Sequence, residues 1–185
     1  MIPSAVSSPV DEDQPFWDVA GRIYFRAAEG RSNFLYRMKG DGSERIKLLP
    51  NPILVLYAVS PDGRCVVIGE GLGQDPDMRM AAVPLGGEPA ITICPKYCEP
   101  QWNAGGSIFS VSVEVMEGTK TVQIPLLPGK NLPALPAAGI QSREDMARLR
   151  GAKVLDGRVT SGPTSELSVT VRQSVHRNLY RVHLQ

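Results

Sequence analysis

Tyr57-Ala58-Val59-Ser60-Pro61-Asp62-Gly63-Arg64-Cys65-Val66-Val67-Ile68-Gly69-Glu70 reads as a short strand, a tight turn and a second strand. Proline presets the backbone for entry into such a turn, and glycine supplies its left-handed position. The run Cys65-Val66-Val67-Ile68 shows no polar alternation. A strand with one wetted face alternates, whereas one covered on both faces need not. The stretch therefore predicts a sheet sandwiched between two other layers.

The same outline recurs on either side. Trp17-Asp18-Val19-Ala20-Gly21 precedes Arg22-Ile23-Tyr24-Phe25-Arg26, and Trp102-Asn103-Ala104-Gly105-Gly106 precedes Ser107-Ile108-Phe109-Ser110-Val111-Ser112-Val113. Positions 17, 59 and 102 lie 42 and 43 residues apart, matching the ~40–45-residue repeat of a four-stranded propeller blade. Third strands are expected at 33–39, 79–85 and 121–126, closed by Gly40-Asp41-Gly42-Ser43, Gly86-Gly87-Glu88 and Pro128-Gly129-Lys130. Fourth strands are expected at 45–49, 89–94 and near 132–135. Pro84 and Pro125 shorten the third strands, because proline is tolerated only at a strand end, edge or bulge.

The expected fold class is all-β: a β-propeller-like array of four-stranded antiparallel blades. A polar, acidic tail (1–15) precedes a single domain (16–185). Its blades fall at 16–54, 55–98 and 99–140, with a partial fourth at 153–185. Between the third and fourth units, Ser142 as N-cap, Asp145 three residues on and Gly151 as stop predict a short helix over 142–150. Lys153-Val154-Leu155-Asp156 opens the last unit, 167–171 is its second strand and 178–184 its third. Asn178-Leu179-Tyr180-Arg181-Val182 restates the pattern of 33–38. Two arrangements fit: an open array belonging to a longer propeller, or a closed four-bladed ring with residues 1–10 as the missing strand. The open array is favoured, since the N-terminal stretch lacks strand-like alternation.

The Ser-Pro-Asp-Gly turn, followed by an apolar strand and set beside Leu35-Tyr36-Arg37-Met38-Lys39-Gly40-Asp41-Gly42-Ser43, resembles the TolB-like, WD-type β-propeller repeats of bacteria. Residues 16–135 resemble three such units and 153–185 a partial fourth. The turn motif is whole only in the middle unit, because Asp62 is matched by Ala20 and Gly105. The C-terminal Arg177-Asn178-Leu179-Tyr180-Arg181-Val182 is also similar to the end of propeller modules in large bacterial proteins, some carrying a serine/threonine kinase domain. The resemblance implies a binding platform and carries over no catalytic residue.

The chain has 185 residues and a net charge of +1, so no global field attracts nucleic acid or an anionic membrane. No run approaches the ~18 apolar residues of a membrane span, and residues 1–16 lack the basic start and apolar segment of a secretory signal. Localisation stays open. Of three cysteines, Cys65 reads as a small core hydrophobe. Cys94 and Cys98 close a small loop as a disulfide or stand as two metal ligands; no further cysteine or histidine completes a four-ligand set, which favours a structural role.

Other chemistry is equally sparse. His176 and His183 have no nucleophile partner, and no Gly-x-Ser-x-Gly elbow is present. Gly69-Glu70-Gly71-Leu72-Gly73 lacks the strand-to-helix setting of a phosphate loop. Asp75 and Asp77 fall short of the six to eight oxygens calcium takes. Trp17 and Trp102 are expected to pack within blades, and the arginine-rich C-terminus to be a solvated face. The expectation is therefore a non-enzyme without catalytic residues, cofactor or metal. Its partner would be a protein or the remainder of a longer propeller, or further copies associating through an exposed end blade. The alternative is a sensor or gating segment of a multidomain kinase or peptidase.

Overall fold

The computed structural model describes residues 12–71, 78–164 and 167–170. Three four-stranded antiparallel sheets follow one another along the chain, each with its strands in sequence order. The first comprises β1 (Glu12–Trp17), β2 (Arg22–Glu29), β3 (Ser32–Lys39) and β4 (Ile46–Lys47). The second comprises β5 (Val55–Val59), β6 (Cys65–Glu70), β7 (Arg79–Pro84) and β8 (Ile91–Cys94). In the third, β9 (Glu99–Trp102), β10 (Ile108–Val115) and β11 (Gly118–Pro125) are joined by β12 (Lys153–Asp156), after an insertion bearing helix α1 (Arg143–Ala147). A further pair, β13 (Val159–Ser161) and β14 (Ser168–Thr170), begins a fourth unit. The expected third strand at 178–184 lies outside the described residues.

The apolar run of β6 is explained by its two neighbours. Val66 and Ile68 point into a core shared with Tyr24 and Leu35 of the first sheet. Cys65 and Val67 point into a core shared with Phe109, Val111, Val122 and Ile124 of the third. Neither face of Cys65–Gly69 in β6 meets water.

Two expectations about boundaries are corrected. The segment 12–15 is not tail: it forms most of β1, pairing with β2 across a bulge between Asp13 and Phe16. Pro15 sits within that bulge, where its missing donor costs nothing, and Gln14 accepts the Leu56 amide at 2.7 Å. The fourth strand of the third sheet is Lys153–Asp156, not the segment near 132–135, and Lys153–Asp156 does not open the last unit. Pro128, Pro133 and Pro136 strip ladder donors from the nearer segment, whose Leu132 and Leu135 pack on the second core instead. Val154 faces Val122 in register, and Lys120 Nζ bonds Asp156 at 2.5 Å.

The insertion thus lies inside the third unit. Its helix is shorter than expected, but the capping box forms: Ser142 Oγ accepts the Asp145 amide and Asp145 accepts the Ser142 amide. Ile140, Met146 and Leu149 seal the core between the second and third sheets. The Cys94–Cys98 disulfide ties the end of β8 to the start of β9, a closure worth ~2 kcal/mol in the chain-entropy account. Cys65 is a buried free thiol whose ionisation burial pushes up to about 12.

The two tryptophans differ, against the expectation of equal roles. Trp102 is half-buried, 5.1 Å from the Phe109 ring, and donates to the Asn131 carbonyl at 2.7 Å. Trp17 is 61% exposed. Trp102→Ala is expected to cost ~3 kcal/mol as a truncated core aromatic, and Trp17→Ala under ~0.5 kcal/mol. Urea denaturation of both variants measures the contrast, and equal midpoints would contradict the assignment.

Candidate functional site

Each sheet begins with the same turn. Gly21, Gly63 and Gly106 donate their amides to the carbonyls of Asp18, Ser60 and Asn103 at 3.0, 2.8 and 2.9 Å. All three glycines have left-handed φ, between 65° and 73°, which is why a glycine ends each turn. The first residue of each turn also caps the following strand with its side-chain oxygen. Asp18 Oδ1 accepts the amides of Ala20 and Arg22. Ser60 Oγ accepts those of Arg64 and Cys65, and Asn103 Oδ1 those of Ser107 and Ile108. Aspartate, serine and asparagine share this one role because each presents a short-stemmed acceptor.

The turns clasp one another in sequence. Val19 donates its amide to the Pro61 carbonyl at 2.8 Å, and Arg22 donates to the Asp62 carbonyl at 3.2 Å. The Tyr24 hydroxyl lies 3.0 Å from both the Gly63 carbonyl oxygen and Asp18 Oδ2. Asn103 Nδ2 reaches the Pro163 carbonyl at 3.1 Å, joining the third turn to the fourth unit. Asp62 Oδ1 accepts from Ser60 Oγ and the Arg64 amide, and from Asn131 of the insertion at 3.2 Å. Asp62 is therefore an architectural acceptor.

Asp18 is the electrostatic centre of the clasp. Its carboxylate is fully buried and takes Arg22 Nε at 2.5 Å. Burial alone would push its pKa up. Hydrogen bonds from the Arg22 amide, the Arg22 side chain and the Tyr24 hydroxyl outweigh that and hold it below the ordinary value. The Tyr24 hydroxyl is correspondingly pushed up, by burial and then by Asp18.

Beside the clasp, at the same end of the first sheet, opens a cleft of about 720 Å³. It is lined by residues 20–22 of the β1–β2 turn and residues 37–41, Glu44 and Ile46 of the β3–β4 hairpin. The hairpin is held by the Asp41 carboxylate, which accepts the Ser43 amide and hydroxyl. Arg22, Arg37 and Lys39 put three cations on this cleft. Sequence inspection passed over them because they sit on two strands 15 residues apart; the signal is the strand register, which faces Arg22 with Lys39.

Among the described residues, none of those weighed for chemistry joins the cleft. His176, His183, Asp75 and Asp77 lie outside the described residues. Gly69 ends within β6, and the rest of its glycine-rich loop is described only to Gly71. Cys94 and Cys98 are paired with each other. Among the described residues no group of three or more histidine, cysteine or acidic side chains converges on a metal position, and no helix is long and apolar enough to cross a membrane.

No protein-family model matches the chain, and no curated protein matches it. Solved structures do. TolB of Acinetobacter baumannii is similar with a TM-score of 0.53 at 15% identity, over 68% of this chain and 32% of TolB. A prolyl endopeptidase is similar at 0.47 and 18% identity, over 63% of this chain and 21% of the peptidase. The β-propeller domain of the Trilobed protease from Pyrococcus furiosus, described as having an open velcro topology, is similar at 0.46 and 11% identity, over 63% and 39%. The chain thus spans about a third of the length of TolB. Its fold is a TolB-like β-propeller array.

Two outcomes test the clasp. A methyl group on Gly63 would sit 2.3 Å from both Asp18 Oδ2 and Tyr24 Oη, at a φ of 69°. Gly63→Ala is therefore expected to lose at least ~2 kcal/mol, whereas Gly30→Ala meets no atom within 4 Å and loses only the ~1–2 kcal/mol of a left-handed alanine. Chemical denaturation compares them. For Asp18, a folded pKa below the unfolded one contributes stability above the unfolded value of ~3.9 and loses it as pH falls through the folded pKa. Asp18→Asn should cost about 2–4 kcal/mol at pH 7, and its gap from wild type should narrow as pH falls below the unfolded value and through the lowered folded pKa. A pH-independent gap in urea midpoints would contradict the role.

Proposed function

We propose that this chain is a non-catalytic β-propeller module acting as a protein-interaction platform, with the turn end of the first sheet as its contact surface. The observation that carries the reading is the use to which the turn end puts its polar groups. Asp18, Tyr24, Asp62 and Asn103 are consumed in holding turn to turn. They make a rigid rim, and an open cleft sits beside it. A preorganised rim lowers the ordering cost of association, and short connecting turns on a stiff scaffold are where binding residues concentrate.

The platform reading predicts position-dependent contact. A photo-crosslinking residue placed at Ile46, on the cleft, is expected to yield one discrete protein adduct in lysate of the source organism. The same residue at Met116, fully exposed on the β10–β11 turn at the opposite end, is expected to yield none. Adducts of equal yield from both positions, or an inert monomer from both, would overturn the reading.

A further inference from the structure

The first sheet gathers like charge at one end. Arg22 faces Lys39 directly across β2 and β3, and Arg37 faces Tyr24 in the next row on the same side. Like charges in such positions destabilise a sheet, and the partners offset them unequally. Arg22 is neutralised by buried Asp18. Lys39 is paired with Glu44, but their side chains are 53% and 65% exposed, so that pair is worth little and opens at small cost. Half-buried Arg37 stands across from Tyr24 in the ladder and, among the described residues, makes no ion pair. Asp41 lines the same cleft, yet its carboxylate is held within its own turn by Ser43.

We infer that this cleft is a carboxylate-binding subsite in which Arg37 and Lys39 receive an aspartate or glutamate side chain from an acidic protein segment. The inference rests on the platform reading and names the chemistry of its partner. Guanidinium forks match carboxylates in a bidentate way, and partial burial strengthens such bonds. Glu44 is the group displaced. Met38 and Ile46 line the same cleft and give the aliphatic stem apolar contact. At about 720 Å³ the cleft has room for several residues, which favours a peptide over a single small anion.

The test is calorimetric titration of the full chain with acetyl-Gly-Asp-Glu-Asp-Gly-amide, with its Asn/Gln counterpart and with inorganic phosphate. The acidic peptide should bind, with affinity falling as salt rises; the amide peptide should not, and phosphate should bind at least about tenfold more weakly. Arg37→Ala should weaken the acidic peptide about tenfold or more, Arg37→Lys by less, and Lys47→Ala, outside the cleft, not at all. Thermal unfolding checks each variant, and Lys39→Ala serves if Arg37→Ala does not fold. Equal affinity for the two peptides, or wild-type affinity in the cleft variant, overturns the carboxylate subsite and leaves the platform reading to its crosslink. Phosphate binding as tightly as the peptide overturns the assignment to a protein segment. Loss of the position-dependent crosslink, with this titration intact, removes the platform reading alone.

Discussion

The inner strand β6 of the middle sheet has no solvent face, and the rest of the molecule follows from that constraint. Cys65, Val66, Val67 and Ile68 alternate between two neighbouring sheets rather than between sheet and water. At about 25 cal/mol per Å² of apolar surface, each such side chain stabilises the stack only while both neighbours stay in place. Sheets that share a strand's two faces must keep their relative position. The turn clasp does this at one end, through Val19 to Pro61, Arg22 to Asp62 and Tyr24 to Gly63. The Cys94–Cys98 disulfide and the insertion do it for the second and third sheets. A disulfide of this kind persists under oxidising conditions.

The third sheet shows how the constraint relaxes along the array. Its inner face carries Phe109, Val111 and Val113, whereas Ser110, Ser112, Thr121 and Gln123 take the other side. There the fourth unit is held by hydrogen bonds. Ser110 Oγ meets Ser161 Oγ at 2.6 Å, Gln123 donates to the same hydroxyl, Gln101 donates to the Val159 carbonyl and Thr121 accepts the Val159 amide. A polar interface gains ~1 kcal/mol per net hydrogen bond, against ~1.5–3 kcal/mol for a buried aliphatic side chain. Contact for contact, these polar bonds between β13 and the third sheet gain less than the apolar contacts that join the first three sheets.

Much of this was legible in the residues. The 42- and 43-residue spacing found the three turns, and the unalternating run 65–68 announced two covered faces. Asp41-Gly42 marked a hairpin and Ser142 a helix start, each through local chemistry that needs no distant partner. The errors came where a distant partner decided. Residues 12–15 look like tail until Arg26 pairs with Asp13 and a bulge accommodates Pro15. Lys153–Asp156 looks like the opening of a new unit until β11, 30 residues earlier, is free to take it once the proline-bearing segment declines. Trp17 and Trp102 occupy the same repeat position, but only Trp102 has an insertion beneath it. The alternation in Ser110-Val111-Ser112-Val113 is the local signal of the third sheet's polar face, and the repeat-based reading passed over it.

The cation cluster belongs to the same class of long-range fact. No local pattern sets Arg22, Arg37 and Lys39 apart from other charged strand residues. The two-residue turn between β2 and β3 fixes the register, and the register puts them on one face. A fold optimised for stability alone would place acids opposite these cations within the sheet, as Asp13 stands across from Arg26 on the neighbouring strand. Here one acid is drawn inward to build the clasp and another stands exposed on a hairpin. The clasp thereby fixes Arg22 and Tyr24 in place, the register sets Arg37 across from Tyr24, and Arg37 lines the open cleft. The rigidity that aligns the blades is the same rigidity that holds the cleft's cations side by side.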